Sequence, residues 1–320
     1  MKHFFVINPM SRNGRSGALT GKLLSLAKQE GISLDYEMTT SLEHAFALSK
    51  RANEERYDVV VAVGGDGTIN RVLNGFFNAD GQRISCARMG VIHTGTSPDF
   101  CKSYGIPRSL EGALHAVAAG TTIPVRVGRI ACTAPQGSQT ESTATPPQFF
   151  GCCANIGLGA ALARAANSGI RRYAGDFAGT FLSLMNLLRR YRPGTVSLNI
   201  DGNRRTLTGV YDIAVGRTRY IASGIQVRNA PAPLDATFYV LTVKKLSPLN
   251  IAAVLGLIYG GKEIPAGRDY ISLEYGARIW ISGGSGLEVE FDGDPAGVCP
   301  CVISASTDPL ELIIGDGHAR

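Results

Sequence analysis

The sequence predicts an α/β N-terminal domain with a parallel sheet, followed by a mainly β C-terminal domain of the sandwich type. Three observations carry this reading. Apolar, β-rich runs alternate with helical patterns over residues 3–120, and short extended segments take over from about Ile123. Between the alternating elements, Val59-Val60-Val61-Ala62-Val63 is apolar at every position, as a central parallel strand covered on both faces must be.

In chain order, strands are expected over 3–8, 33–38, 58–63 and 87–93, with helices between them. After the third strand Ile69, Val72, Leu73, Phe76 and Phe77 recur at i, i+3, i+4, i+7 and i+8, one face of a helix. The first domain is placed at 1–122 and the second at 123–320, with a C-terminal segment able to return to the first. In the second domain the extended segments are 125–132, 148–155, 195–200, 206–215, 237–244, 271–273, 277–281 and 287–291. Two helices are expected there, over 175–190 and 248–259. A polar insertion over 133–148 has the composition of a hairpin tip.

Composition narrows the function classes. The chain has 320 residues, 44% of them hydrophobic and 18% charged, which excludes a disordered tail and a coiled coil. A formal charge of +6 favours anionic partners, but no basic-aromatic interleaving marks a nucleic-acid module. The cysteines, Cys86, Cys101, Cys132, Cys152, Cys153, Cys299 and Cys301, form no Cys-x-x-Cys pair, so reduced thiols and a cytoplasmic location are expected. The longest apolar run, residues 251–259, falls far short of the ~20 residues of a membrane span, so membrane contact is expected to be peripheral. The basic residues around 171–192, beside an apolar helix face over 177–188, would suit such contact, although core packing with cations at the helix C-terminus is the favoured explanation of that face. Oligomeric state is open, a homodimer included.

The chemistry is concentrated where the third strand ends, in Gly64-Gly65-Asp66-Gly67-Thr68-Ile69-Asn70. Glycines allow the backbone to turn tightly and offer its N–H groups, and the helix N-terminus adds its positive dipole end, so phosphate oxygens fit there. Asp66 would repel a bare phosphate. It points to a divalent cation between carboxylate and polyphosphate, or to handling of a hydroxyl proton. Asn8-Pro9-Met10-Ser11 follows the first strand, Thr39 and Thr40 the second, and Thr94-Gly95-Thr96-Ser97-Pro98-Asp99 the fourth. Carboxyl ends of parallel strands share one edge, so these loops should gather beside Gly64 to Thr68 as a nucleotide site.

In order and spacing, Asn8-Pro9 with Ser11 and Gly14, Gly64-Gly65-Asp66-Gly67-Thr68-Ile69-Asn70, Gly95-Thr96 with Asp99-Phe100, and Gly105-Ile106-Pro107 resemble the diacylglycerol kinase catalytic-domain family. That family includes soluble bacterial lipid kinases and the sphingosine kinases, with NAD kinases as distant relatives. Asn155-Ile156-Gly157-Leu158-Gly159, Leu234-Asp235-Ala236 and Asp292-Gly293-Asp294 look like its later motifs. The resemblance implies transfer of the ATP γ-phosphoryl group to a lipid hydroxyl at a membrane surface. It implies Asp292 and Asp66 as catalytic residues, Asn8, Thr39, Thr40, Gly64, Gly65, Asp66, Gly67, Thr68, Ile69, Asn70, Thr96 and Asp99 at the nucleotide, and Asp235 and Asp294 at Mg2+. Ala236 for Gly, Asp294 for Glu and Pro98 for Asn depart from the family pattern. Two other functions are compatible with the same motifs: phosphorylation of a soluble nucleotide in the manner of NAD kinases, and nucleotide sensing without turnover.

Overall fold

In the computed structural model, residues 1–11, 14–133, 146–165, 190–222, 224–283 and 287–315 are described. Most of the polar insertion and of the helix expected over 175–190 lies outside them, with Arg171 and Arg172. The chain divides into two compact units, Met1–Val127 with Ser306–Arg320, and Gly128–Ala305.

The first unit is built from β1 (His3–Ile7), α1 (Arg15–Gln29), β2 (Leu34–Met38), α2 (Leu42–Glu54), β3 (Val59–Gly64), α3 (Asp66–Asn74), β4 (Arg88–His93), α4 (Asp99–Tyr104), α5 (Leu110–Ala119), β5 (Thr122–Val125) and the late strand β18 (Leu310–Ile313). Its sheet runs β2-β1-β3-β4-β18-β5, parallel except for β5. Every residue of β3 is buried. Its alternate valines Val59, Val61 and Val63 pack with Phe5, Ile7 and Ile92 against Leu23 and Ala27 of α1 and Leu114 and Val117 of α5. Each such valine contributes about 1.5–3 kcal/mol when fully buried. Helix starts follow their caps: Ser41 and Ser109 accept the N–H groups of His44 and Gly112. Phe76 and Phe77, read as the end of a helical face, lie past the end of α3 but remain buried.

The segment expected as one strand over 125–132 is two, because Arg126 and Val127 bond back to Ser306 and Thr307 instead of continuing a ladder. β5 thus belongs to the first sheet. The second unit begins with β6 (Gly128–Thr133), then β7 (Gln148–Phe150), β8 (Cys153–Gly157), α6 (Leu158–Ala165), β9 (Gly194–Ile200), β10 (Asn203–Gly216), the short pair β11 (Tyr220–Ile221) and β12 (Ile225–Gln226), β13 (Phe238–Lys244), α7 (Pro248–Tyr259), β14 (Ile271–Gly276), β15 (Ile279–Gly283), β16 (Glu288–Phe291) and β17 (Asp294–Ala305).

β10, with 14 residues, joins the layers of this unit. Its first half pairs with β9, and after a shift between Leu207 and Val210 its second half pairs with β8 and β13. Since β9 also pairs with β15, hydrogen bonding runs in a ring through β10, β8, β16, β17, β15 and β9. Inside it Phe150, Ile156, Val215, Phe238, Val289, Phe291 and Ile303 form the core. On β8, β10 and β16 the alternate residues face the other way, and among them are Asn155, Asp212 and Glu290.

Candidate active site

In the first unit the loops following the parallel strands are tied to one another by backbone and side-chain bonds. Asn8 N–H donates to Val63 O (2.9 Å), Thr39 N–H to Ile7 O (2.8 Å) and Thr94 N–H to Gly64 O (2.8 Å). The Asn8 amide donates to Thr68 Oγ1 (2.8 Å), while its oxygen accepts from Met10 N–H (3.0 Å). Gly65 and Gly95 pass so closely that a Cβ on Gly95 would lie 2.6 Å from Gly65 Cα. Gly95 has no room for a side chain, and a Cβ on Gly65 would stand 3.3 Å from Gly95 Cα, a tight contact.

α3 starts at this crossing, after Gly65 in extended conformation, and no side chain caps its N-terminus. The first-turn N–H groups of a helix have no acceptor within it, so this end is suited to an anion. Asp66 Oδ1 lies 3.8 Å from His93 Nε2, and the histidine side chain is nearly enclosed. His93 is not among the residues that the sequence motifs single out. Its place as the last residue of β4, at the edge where the loops gather, was the available signal.

The expected nucleotide residues therefore divide by exposure. Gly65, Asp66 and Gly67 are half-buried, Thr40 and Thr96 are exposed, and Thr39, Gly64, Thr68, Ile69, Asn70 and Asp99 are buried. Ile69 is core, and the Asn70 side chain accepts from Asn74 Nδ2 (3.1 Å), so these two shape the loop from beneath. Thr40 Oγ1 is 3.1 Å from His44 Nδ1 at the start of α2.

In the second unit Asp292 and Gly293 form the two-residue turn between β16 and β17, with φ of 48° and 91°. Positive φ at both positions is what a tight type I′ hairpin requires. The Asp292 carboxylate folds back onto the break between β7 and β8. Oδ2 accepts from Gly151 N–H (2.7 Å), and Oδ1 from Cys152 (2.9 Å) and Cys153 (3.2 Å). The strand expected over 148–155 is interrupted there because these three amides turn to the carboxylate. Asp294 opens β17 opposite Phe291.

Sequence reading missed two acids beside this hairpin. Glu290 lies directly across from Asn155, whose amide donates to Oε1, and Oε2 accepts from Gly293 N–H (2.8 Å). Burial, then the nearby Asp292 and Asp212 charges, push Glu290 up to about 8, against the pull of those two hydrogen bonds. Burial likewise raises Asp212 to about 7, although it accepts from Gly159 N–H (2.8 Å). Between the ordinary carboxyl value and about 8, folded Glu290 keeps a proton that the unfolded chain releases. Stability therefore falls as pH rises through that window, by at most about 1.4 kcal/mol per unit for this group. Glu290→Gln removes the dependence, so its gain over wild type should be larger at about pH 8 than at about pH 5 in urea unfolding. A difference that does not change with pH would refute this.

The expected metal position at Asp235 does not fit a metal. Its backbone carbonyl accepts from Arg217 Nη2 (2.6 Å), as does that of Pro233 (3.1 Å). The carboxylate turns instead to Ala232 N–H (3.0 Å). Among the described residues no group of three His, Cys, Asp or Glu side chains could hold a metal ion.

Residues 2–130 match the family model described as the diacylglycerol kinase catalytic domain, and residues 153–314 match the YegS C-terminal NAD kinase beta sandwich-like domain. The chain belongs to the diacylglycerol kinase catalytic-domain family. This kinase is 24% identical over 297 residues to a diacylglycerol kinase of Bacillus subtilis (strain 168), covering 92% of this chain and 90% of the relative. To one from Staphylococcus aureus (strain Newman) it is 25% identical over 286 residues, covering 88% and 82%. In fold, the kinase resembles the crystal structure of a diacylglycerol kinase from Bacillus anthracis str. Sterne, with a TM-score of 0.70 at 20% identity over 99% of this chain and 98% of that one. Yeast NADH kinase complexed with NADH gives 0.54 at 11% identity, over 98% and 83%.

Proposed function

We propose that the kinase transfers the γ-phosphoryl group of ATP, taken as its magnesium complex, to a hydroxyl of a lipid such as diacylglycerol. The observation that carries this reading is the glycine crossing at the uncapped start of α3, where backbone N–H groups can meet phosphate oxygens without a side chain between. The relatives named diacylglycerol kinases, matched over most of their length, favour a lipid acceptor.

In this reading Gly65, Asp66 and Gly67 meet the phosphates, while Asn8, Thr68 and Gly64 fix the loop. Thr39, Thr40, Thr96 and Asp99 border the nucleotide. Asp292, whose carboxylate oxygens accept from the Gly151, Cys152 and Cys153 N–H groups, takes the proton of the acceptor hydroxyl. The hydroxyl oxygen bonds to the γ-phosphorus as the bond to the ADP oxygen breaks, and the pair of that bond leaves with ADP. Asp294 follows in the same hairpin and is the remaining acidic candidate for the metal that accompanies ATP. The lipid would be met at a membrane surface; among the described residues no helix is long and apolar enough to cross a membrane.

The test is transfer of labelled γ-phosphate to mixed micelles of diacylglycerol, monoacylglycerol, sphingosine or phosphatidylglycerol, with NAD as a soluble control. Label on a lipid is expected. Label on NAD alone would move the kinase to a nucleotide acceptor, and ATP binding without any label would leave a sensor.

A further inference from the structure

Between β12 and β13, residues 232–235 fold into a turn whose carbonyls converge on a cation that the chain itself supplies. Asp235 N–H donates to Ala232 O (3.0 Å), and the Asp235 carboxylate returns to Ala232 N–H (3.0 Å), so both polar ends of the turn are closed locally. The carbonyls of Pro233 and Asp235 then meet at one nitrogen, Nη2 of Arg217. Two backbone oxygens aimed at one point is the arrangement by which loops hold a metal ion. Here the positive group is a guanidinium.

Its fixing is thorough. Arg217 follows the end of β10, its own N–H donates to Cys152 O (2.9 Å), and only 3% of the residue is exposed. Its Cζ stands 5.0 Å from the centre of the Phe238 ring, which is fully buried at the start of β13. Arginine suits this position because its charge is permanent and its planar fork can stack on an aromatic face while donating sideways. A divalent ion brought to the same carbonyls would have to displace those donors and stand beside a buried positive charge.

We propose that Arg217 is a built-in replacement for a loop cation, holding residues 232–235 through the Pro233 and Asp235 carbonyls so that this loop keeps its conformation without any divalent metal. The loop presents Leu234, 48% exposed, outward. Arg217 thus fixes the position of an apolar side chain on the surface of the second unit.

Amide hydrogen exchange across residues 228–240 of the full chain tests this, with the protein either treated with EDTA or given Mg2+ or Ca2+ alone. Wild-type exchange should be the same in all three conditions. Arg217→Met, which keeps the length of the side chain but none of its donors, should speed exchange in the loop by about ten- to a hundredfold. Arg217→Lys, which keeps the charge but not the fork, should fall between. Faster wild-type exchange in EDTA would show that a metal holds the loop and would overturn the proposal, as would wild-type protection in Arg217→Met. Should Arg217→Met fail to fold, Arg217→Lys and the wild-type EDTA comparison decide, because neither depends on it.

Discussion

Gly64→Ala should lower affinity for ATP by about ten- to a hundredfold and leave little phosphoryl transfer. A Cβ at this position would lie 2.5 Å from Thr68 Cβ, 2.6 Å from its Oγ1 and 2.8 Å from its Cγ2. Thr68 cannot swing away, since it is buried and its hydroxyl accepts the Asn8 amide. Relief must come from the backbone of the β3 to α3 turn, the segment assigned to the phosphates. Overpacking of this kind costs about 1–3 kcal/mol, and each 1.4 kcal/mol transferred to binding is tenfold. Isothermal titration with ATP reads the loss, and far-UV circular dichroism separates it from unfolding. Unchanged ATP affinity in a folded variant would remove the phosphates from this turn.

Asp292→Asn is expected to lower kcat by about 10²–10⁴-fold, the range a positioned acid or base contributes. The effect has two sources. Asparagine cannot take the acceptor proton, and its amide nitrogen would face a backbone N–H where Asp292 now presents an oxygen, to Gly151 at 2.7 Å or to Cys152 and Cys153. ATP affinity should stay near wild type, because the residues assigned to the nucleotide belong to the other unit. Lipid kinase activity retained in full would exclude Asp292 as the base.

The parallel sheet was legible because β1, β3 and β4 are largely apolar runs followed by turns that contain glycine, and the residues of the β3 to α3 turn are neighbours in sequence. What escaped reading depends on distant partners. The seat of Asp292 is made of amides at 151–153, and an N–H group carries no residue-type signal. The same holds for Arg217, whose partners are carbonyls that any residue could supply. Glu290, set between Val289 and Phe291, has the sequence pattern of a solvent-facing position on an alternating strand, whereas α6 packs on that side of β16 and the acid is buried. β17 was missed because Pro295, Gly297 and Pro300 interrupt its pattern. The sheet accommodates them with register shifts at Val289/Glu290 and Val298/Cys301.

β18 enters the first sheet between β4 and β5, although the whole second unit is translated between β5 and β18. A fragment stopping at Val127 would leave β4 and β5 without the strand that joins them, and open strand edges invite pairing between chains. The second unit, by contrast, is one uninterrupted stretch whose two ends are cross-strand neighbours, Gly128 opposite Ala305. The stumps it would leave behind are adjacent too, since Ser306 N–H donates to Val127 O (2.8 Å). The chain is therefore laid out as a host with a cassette. Residues 128–305 leave and re-enter the first unit at one place in the chain, and a graft that rejoins Val127 to Ser306 is expected to give a continuous host that still carries its last strand.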